Sequence, residues 1–466
     1  MLKSQLWIDL TRILVLSLLY TNAAKFGQIF SVVGGSVTLV WLPSGIALAA
    51  LLIYGYRLWP GIFCGVILAN LSFSLPVFTI LAMATGSSVG AVAGAYLLRK
   101  RHFHPELNRI KDALNLIIYG ATLSPVISSL IDVPSLWLGG VTSRGELLSF
   151  WVQFVMGDAM GVLVMTPVSI TWASLRNRKL SLQRKTEAII LFSSLTVVCG
   201  IVFNGWFLSS GTVLPAFIVY PFLVWAPLRF GTRGAATAIF LISGLALFGV
   251  AHQVGSFITA STLHSLILLW LFVNVAAIVS LVLAASIAEL TTAKHFLEQL
   301  ALYDSLTGLD NRLLLMEKLA QSLAQVDRHD AQSVILYLDL DGFKPINDTF
   351  GHEAGDRVLV EVAKRLKTCV RDVDTVARLG GDEFVILLNH LSDTQTIETV
   401  ANRIVQTVNA PIPLYGKIIT VGASIGIARI PQDGEYPHQL LKNADQAMYF
   451  AKKQGKNQYY FYSDIL

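Results

Sequence analysis

Long apolar stretches dominate the first 290 residues and restrict this part of the chain to structures that satisfy their backbone hydrogen bonds inside a membrane. Each stretch, roughly 18 to 25 residues long, can cross about 30 Å of hydrocarbon as a helix. The apolar windows lie at 6–24, 33–54, 58–74, 76–98, 112–131, 147–171, 188–207, 213–230, 234–251 and 265–288. A mean hydropathy of +0.61 with only 14% charged residues excludes a soluble globular protein. We therefore predict a polytopic α-helical membrane domain with about eight to ten transmembrane helices.

Lysine and arginine residues are frequent in every second loop between these windows, which predicts how the helices are oriented. The basic loops contain Arg57, Arg99, Lys100, Arg101, Arg109, Lys111, Arg176, Arg178, Lys179, Arg184, Lys185, Arg229 and Arg233. The opposite loops contain only Lys25 and Arg144. By the positive-inside rule, ten spans leave both termini in the cytoplasm. The net charge of +5 does not indicate nucleic-acid binding, because the basic residues lie mainly in short loops that orient the spans in the lipid bilayer. Because window 58–74 is short and Pro43 interrupts the window before it, eight spans with re-entrant segments are an alternative.

Asp158 lies near the middle of a predicted span, in the stretch WVQFVMGDAMGVLVMTP. An ionisable side chain is costly at that depth, so Asp158 is the sensor candidate of the membrane region. The alternative is a neutral carboxylic acid that hydrogen-bonds between helices, and the sequence leaves both open. The stretch WLPSGIALAALLIYGYRLWPGIFCGVILAN, at 41–70, resembles the membrane-associated sensor domains of the first MASE class. That resemblance implies a sensor for an unknown signal.

The apolar pattern ends near residue 290, after which the composition is that of an ordinary globular domain. We predict an integral membrane sensor domain at 1–288, a signalling helix or linker at 289–303 and an output domain at 304–466. Four apolar residues at the start of the linker recur at the a and d spacing of a heptad: Leu290, Ala293, Leu297 and Leu300. This spacing predicts a short parallel helix pair in a dimer, and the alternative is one amphipathic helix resting on its own domain.

Two acidic motifs in the output domain point to a metal and nucleotide site. The segment ARLGGDEFVILL, at 377–388, predicts a hairpin in which two glycines form a tight turn and two carboxylates project from its tip. Some forty residues earlier, VILYLDLD predicts a buried strand that ends in Asp339 and Asp341. Carboxylates that meet at strand ends suit a hard divalent cation with bound phosphates.

These motifs, together with DSLTGLDNR at 304–312 and INDTFGHEAGD at 346–356, resemble the GGDEF domain of diguanylate cyclases, which condense two GTP into cyclic di-GMP. The resemblance extends over about 304–461. The order of strand and helix patterns predicts an α+β fold with a palm-like βαββαβ core, a central mostly antiparallel sheet and flanking helices. In particular, we predict one strand at 418–430 and a helix at 438–454.

The resemblance implies a role for each residue of the site. It implies Mg²⁺, or Mn²⁺, with two ions per half-site, held by Asp339, the Leu340 carbonyl, Asp382 and Glu383. The catalytic residues are Asp382, Glu383 and Lys344, and the GTP-binding residues are Phe343, Lys344, Asn347, Asp356, Gly380, Gly381, Lys452 and Lys456. Glu383 is alternatively the base that deprotonates the GTP 3′-hydroxyl, and Asp341 is expected to be structural. Asn347 and Asp356 would bind guanine, although Asp356 could also be the N-cap of a helix starting at GDRVLV.

Arg371 and Asp374, in RDVD, match the RxxD site at which such enzymes bind their product, and Arg403 is a second expected contact. A surface Arg–Asp pair is the alternative. Because one domain holds one GTP and the product joins two, the resemblance implies a homodimer in a bacterial inner membrane with cyclic di-GMP as feedback ligand. Two other functions stay open: a receptor that binds GTP or cyclic di-GMP without catalysis, and a transporter with a regulatory nucleotide-binding tail.

Overall fold

The computed structural model describes residues 2–28, 40–71, 73, 75–174, 181–207, 213–329, 332–391 and 393–466. The chain divides into two compact units, Met1–Thr292 and Ala293–Leu466. Arg176, Arg178 and Lys179 of the predicted basic loops lie outside the described residues, as does the first part of window 33–54.

The first unit contains helices joined by turns and loops, with no strand among its described residues. Its helices are α1 (Leu2–Gln28), α2 (Leu42–Tyr54), α3 (Trp59–Asn70), α4 (Val77–Lys100), α5 (Ile110–Asn115), α6 (Ser124–Leu138), α7 (Leu147–Ala173), α8 (Leu182–Asn204), α9 (Tyr220–Ala251) and α10 (Thr262–Leu302). A π-helical segment, Leu116–Leu123, joins α5 to α6. Within the described ranges, seven helical stretches are long and apolar enough to cross a membrane.

This number differs from the ten apolar windows because two kinds of window do not form separate long helices. Helices α2 and α3 have 13 and 12 residues, so each is only about 20 Å long and shorter than the hydrocarbon core. The boundary predicted between windows 213–230 and 234–251 is present as a kink in α9 at Gly231, which has the non-helical angles φ 61 and ψ −151, so the two windows form two helical segments of one kinked stretch.

Glycines allow α2 to pack directly against the backbone of α7. A Cβ atom on Gly45 would overlap the carbonyl of Gly161, and a Cβ atom on Gly161 would overlap the carbonyl of Trp41. The Thr166 hydroxyl donates a hydrogen bond to the Gly45 carbonyl at 3.0 Å. This close contact holds the short helix α2 inside the helical unit.

Gly45→Ala is therefore expected to destabilise the membrane unit, by about 1–3 kcal/mol, because the added methyl group has no space. Gly244→Ala on α9 is the matched control, since a Cβ atom there meets nothing within 4 Å. Thermal unfolding in detergent would compare the two variants with the parent. Equal midpoints for Gly45→Ala and Gly244→Ala would contradict the close packing of α2 on α7.

The second unit is an α+β domain, as predicted. Its helices are α11 (Arg312–His329), α12 (Phe343–Phe350), α13 (His352–Thr368), α14 (Thr394–Val408) and α15 (Pro437–Lys453). Its strands are β1 (Gln332–Asp341), β2 (Thr375–Gly380), β3 (Glu383–Leu391), β4 (Ile412–Leu414), β5 (Lys417–Ile419), β6 (Gly422–Ile430) and β7 (Tyr459–Phe461). Five strands form a sheet in the order β2-β3-β1-β6-β7, antiparallel except for β6 and β7. This sheet confirms the predicted fold class.

Strand β1 occupies the centre of the sheet and is buried on both faces. Val334, Leu336 and Leu338 belong to one hydrophobic cluster, whereas Ile335 and Tyr337 belong to the cluster on the other face. Successive side chains of a strand point to opposite faces. Residues 339 and 341 therefore share the face of Tyr337, which α11 and α15 cover.

Two details of the second unit differ from the prediction. The single strand predicted at 418–430 is two strands, because β5 pairs with β4 in a separate two-stranded sheet. The turn between β4 and β5 contains Tyr415 and Gly416 at φ 49 and 76. Helix α12 was not predicted, although it carries residues 344 and 347. It is only eight residues long, which is too short for a clear periodic pattern.

Candidate active site

The hairpin of β2 and β3 brings its acidic tip to the end of β1. Gly380 and Gly381 have φ 147 and 53, which a residue with a side chain adopts only with strain. In the sheet register Glu383 lies opposite Asp339, and the Leu340 amide donates to the Asp382 carbonyl at 3.3 Å. The structure thus brings together Asp339, Leu340, Asp382 and Glu383, which are about forty residues apart in sequence.

Asp339 is largely buried and lies beside both a cation and other acids. The Lys452 ammonium is 2.6 Å from Asp339 Oδ1. Burial raises the pKa of Asp339, the hydrogen bond from Lys452 opposes this, and the nearby Asp382 charge raises the pKa further. Lys452, predicted to bind phosphate, thus contacts a predicted metal ligand. A positive charge at this position relieves the repulsion between the acids.

The donor atoms at this end of β1 suit a magnesium ion that also holds phosphate. Among the described residues, no three acidic, histidine or cysteine side chains are close enough to hold a metal ion by themselves. Asp339, Asp382 and the Leu340 carbonyl offer a smaller set of oxygen donors. Mg²⁺ is usually held by one or two carboxylates and completes its coordination with phosphate oxygens and water. The residues present therefore fit Mg²⁺ together with a nucleotide.

Neighbouring side chains separate the roles of the acids. Both oxygens of Asp341 accept a hydrogen bond from the Ser424 hydroxyl at 2.9 Å, and one also accepts from the Asn457 amide. Asp341 therefore ties β1 to β6 and to the loop after α15.

Burial and the Glu383 carboxylate raise the pKa of the Tyr337 hydroxyl. Tyr337 was not singled out in the sequence, although its position two residues before Asp339 puts it on the same face.

Helix α12 and the start of α13 present the predicted nucleotide-binding residues. Phe343 is buried, and Lys344 and Asp356 are exposed. Asn347 Oδ1 is buried and has no hydrogen-bond partner within the described part of the chain. A Cβ atom on Gly355 would overlap this oxygen, so Gly355 provides the space for the Asn347 side chain. A buried acceptor without a partner suits a ligand that donates hydrogen bonds.

The alternative role of Asp356 as a helix N-cap is wrong. Helix α13 begins at His352, and its N-cap is Gly351. Lys456, the remaining predicted GTP ligand, is exposed in the loop after α15, where Lys456 and Asn457 have φ 65 and 50. The ammonium of Lys456 is therefore free to reach a bound anion from this loop.

Arg378 is a part of the site that sequence reasoning missed. Its Nε and Nη2 atoms donate to the Gly381 carbonyl at 3.0 and 2.7 Å. Its Nη1 atom contacts both oxygens of Asp304 at 3.0 and 3.1 Å. Burial works to raise the pKa of Asp304, but hydrogen bonds from Thr307 and Arg378 outweigh it and lower the pKa. Arg378 thus joins the acidic turn to the beginning of the domain, 74 residues away in sequence.

Comparison with protein families agrees with this organisation. The MASE1 family model matches residues 11–290, which is more than half of the chain. The chain belongs to the MASE1 family. A second model, "Diguanylate cyclase, GGDEF domain", matches residues 301–458. Both resemblances inferred from the sequence are therefore confirmed, and the MASE1 region with its seven long apolar helices is a multi-pass membrane unit.

Individual relatives resemble the GGDEF domain. MucR of Pseudomonas aeruginosa, a bifunctional diguanylate cyclase/cyclic di-GMP phosphodiesterase, is 45% identical over 185 residues, which are 40% of this chain and 26% of MucR. Diguanylate cyclase TpbB of P. aeruginosa PAO1 is 41% identical over 170 residues, covering 36% and 39% of the two chains. The solved GGDEF domain of TpbB is 41% identical, with a TM-score of 0.34, and covers 34% of this chain and 93% of that domain. This chain thus spans about a quarter to two fifths of the length of these two curated relatives.

A cavity of about 510 Å³ in the GGDEF domain contains all three predicted residues of the product site, Arg371, Asp374 and Arg403. One oxygen of Asp374 accepts a hydrogen bond from the Arg371 amide at 2.9 Å, and the other accepts from the Asn389 amide at 3.1 Å. Arg403 donates to the Cys369 carbonyl at 2.6 Å. The Asp374 carboxylate therefore holds this turn by accepting hydrogen bonds from two main-chain N–H groups. The Arg371 side chain is exposed.

Asp158 of the MASE1 region lies on α7 and contacts two neighbouring helices. Its Oδ1 atom accepts from the Ser44 hydroxyl of α2 at 2.5 Å, and its Oδ2 atom accepts from the Ser128 hydroxyl of α6 at 3.0 Å. These bonds give Asp158 a structural contact between helices. They do not exclude a sensing role, which stays a prediction.

Proposed function

We propose that this protein is a membrane-bound, signal-regulated diguanylate cyclase that converts two GTP into cyclic di-GMP and two pyrophosphates. The observation that carries the proposal is the meeting of Asp339, Asp382 and Glu383 at the end of β1. The helix that follows directly, α12, contains the unpaired Asn347 oxygen. A guanine nucleotide requires a divalent cation for its phosphates and a hydrogen-bond acceptor for the N–H groups of its base, and these residues offer both.

In this proposal the acids and the Leu340 carbonyl hold two Mg²⁺ or Mn²⁺ ions in each half-site. The ions neutralise the triphosphate and favour ionisation of the attacking 3′-hydroxyl. Phosphate oxygens are bound by Lys344, Lys452 and Lys456, and the backbone at Gly380 and Gly381 leaves space for them. Glu383 either completes the metal site or accepts the 3′-hydroxyl proton. Asn347 and Asp356 bind the guanine edge, and the buried Phe343 begins α12, the helix that carries Asn347.

Catalysis requires a homodimer, because each domain holds one GTP and the product joins two. A two-fold arrangement aims each 3′-hydroxyl at the α-phosphate of the other nucleotide. Exposed apolar residues at the end of α10 support pairing between two chains. Leu290, Leu297 and Leu300 are 72%, 63% and 52% exposed, and their spacing is that of a two-stranded coiled coil.

We further propose a bacterial inner-membrane location with both termini in the cytoplasm. Arg57 lies 3.9 Å from Asp9 near the beginning of α1. Arg99 donates to the Leu51 carbonyl near the end of α2, at 2.8 Å. Both basic loops therefore lie at the end of the membrane unit where α1 begins. The positive-inside rule assigns this end to the cytoplasm, which contains GTP.

The direct test is product analysis after detergent-purified full-length protein is incubated with GTP and Mg²⁺. Formation of cyclic di-GMP and pyrophosphate in a 1:2 ratio, and none from ATP, would support the proposal. GTP binding without turnover, in protein that is dimeric, would instead support a receptor that only binds the nucleotide.

Product inhibition through the RxxD cavity gives a second expected result. Arg371→Ala is expected to raise the cyclic di-GMP concentration for half-inhibition by roughly tenfold or more, because a charge-assisted contact to phosphate is lost. The initial rate without product is expected to stay unchanged. Arg357→Ala is the control, since Arg357 stacks on Tyr415 outside this cavity. Equal inhibition of parent and Arg371→Ala would reject the assignment.

A further inference from the structure

A second cavity, of about 100 Å³, lies inside the MASE1 region. Its walls include two acids, Asp132 and Asp158, and five aromatic residues: Tyr20, Trp41, Phe73, Phe150 and Phe154. One water molecule requires only about 10–15 Å³, so the cavity can hold a small molecule. The sequence prediction included Asp158 but missed Asp132, which is one residue beyond the predicted window 112–131 and lies within α6.

Asp132 has an oxygen that the protein leaves unpaired. Its side chain is buried, with a residue exposure of 3%, and Oδ1 has no hydrogen-bond partner among the residues that the structure describes. Gly86 of α4 faces this oxygen, and a Cβ atom there would overlap it. Asp132 lines the cavity, so a hydrogen-bond donor bound there stabilises this buried carboxylate, which is costly in a membrane without a donor.

The charges around the cavity specify the sign of the ligand. Among the described residues that line it, none is Lys, Arg or His. Among the described residues, the hydrogen-bond partners of Asp158 are the hydroxyls of Ser44 and Ser128, which carry no charge. The faces of aromatic rings are negative and attract cations. Two acids and five aromatic side chains therefore form an environment in which a cation is stabilised and an anion is excluded.

We propose that this cavity binds a small organic ammonium ion with at least one N–H group. The N–H group donates to the Asp132 carboxylate, the positive charge lies between Asp132 and Asp158, and the alkyl part contacts the aromatic rings. A bare metal ion is disfavoured, because the described residues contain no cluster of three acidic, histidine or cysteine side chains. Binding is a property of the membrane unit alone. Its effect on turnover rests on the proposed cyclase function.

Thermal unfolding of detergent-purified full-length protein tests the binding step. The probe is n-butylammonium chloride, with n-butanol as the uncharged molecule of equal size and sodium chloride as the salt control. The expected result is a rise of about 3 °C or more in the unfolding midpoint that saturates with butylammonium. Neither control is expected to produce it. An equal response to n-butanol, or no response to butylammonium, would overturn the proposal.

Two matched variants locate the site. Asp132→Asn is expected to weaken butylammonium binding at least tenfold, because the amide removes the charge while keeping the shape. Asp9→Asn makes the same change in a carboxylate near Arg12 and Arg57, outside the cavity, and is expected to respond like the parent. An undiminished response in Asp132→Asn would overturn the assignment. If Asp132→Asn does not fold, the comparison of butylammonium with n-butanol in the parent remains decisive.

The regulatory consequence has its own readout. The rate of cyclic di-GMP formation by the full-length parent is expected to change at butylammonium concentrations that saturate the thermal response. Bound ligand with an unchanged rate would overturn the regulatory part of the proposal. A parent that forms no cyclic di-GMP would count against the cyclase function alone, because the thermal response does not depend on GTP.

Discussion

Asp382→Asn and Asp339→Asn are each expected to lower the rate of cyclic di-GMP formation on the order of 10²–10³-fold or more. Each substitution keeps the size of the side chain and removes a full negative charge from the end of β1. Without that charge, the site loses both affinity for Mg²⁺ and the geometry that orients the triphosphate. The measurement is the initial rate of product formation over a range of Mg²⁺ concentrations, with purified full-length protein.

Asp464→Asn is the matched control, because it changes an exposed acid of the same domain outside the site. It is expected to retain the parent rate. A rate within a few-fold of the parent for Asp382→Asn would reject the metal site at the hairpin tip.

Glu383→Gln separates the two roles left open for this residue. If Glu383 is a metal ligand, Glu383→Gln is expected to raise the Mg²⁺ concentration required for half-maximal rate. If Glu383 is the base, the variant is expected to leave that Mg²⁺ concentration unchanged, to lower the maximal rate and to alter the dependence of the rate on pH.

Arg378→Ala is expected to lower the cyclase rate by roughly 10- to 100-fold and to destabilise the GGDEF domain by about 2–3 kcal/mol. The variant removes the donors to the Gly381 carbonyl and leaves the partly buried Asp304 without its cation. The acidic turn then loses the contact that holds it to the beginning of the domain. Rates at saturating GTP, together with denaturant unfolding, measure the two effects.

Arg365→Ala distinguishes loss of stability from loss of the site geometry. Arg365 donates to the carbonyls of the last two residues of α14 and of two residues that follow it: Thr407, Val408, Ala410 and Pro411. Its removal is expected to destabilise the domain to a similar extent while the folded enzyme keeps its rate. Arg378→Lys keeps the charge but cannot contact Gly381 and Asp304 with a planar fork, so partial loss is expected. Equal rates for Arg378→Ala and Arg365→Ala would contradict a positioning role.

Local patterns in the sequence predicted both units and the acidic site. Apolar length predicted the membrane helices, and alternating strands around glycines predicted the hairpin with Asp382 and Glu383 at its tip. These features depend on neighbours in the chain, since hydrophobic periodicity and turn preference act over a few residues. Where the backbone changes direction without a strong local signal, as before β6, the same patterns were insufficient.

The tertiary structure alone decided which distant side chains meet. Arg378 binds Asp304, Lys452 binds Asp339, and Asp132 lines the same cavity as Asp158. Nothing in the local sequence distinguishes Arg378 from an exposed strand arginine, or Asp132 from a loop residue after a span. Such contacts depend on how whole helices and strands pack, because burial and the lack of a partner arise only when several segments close around one group.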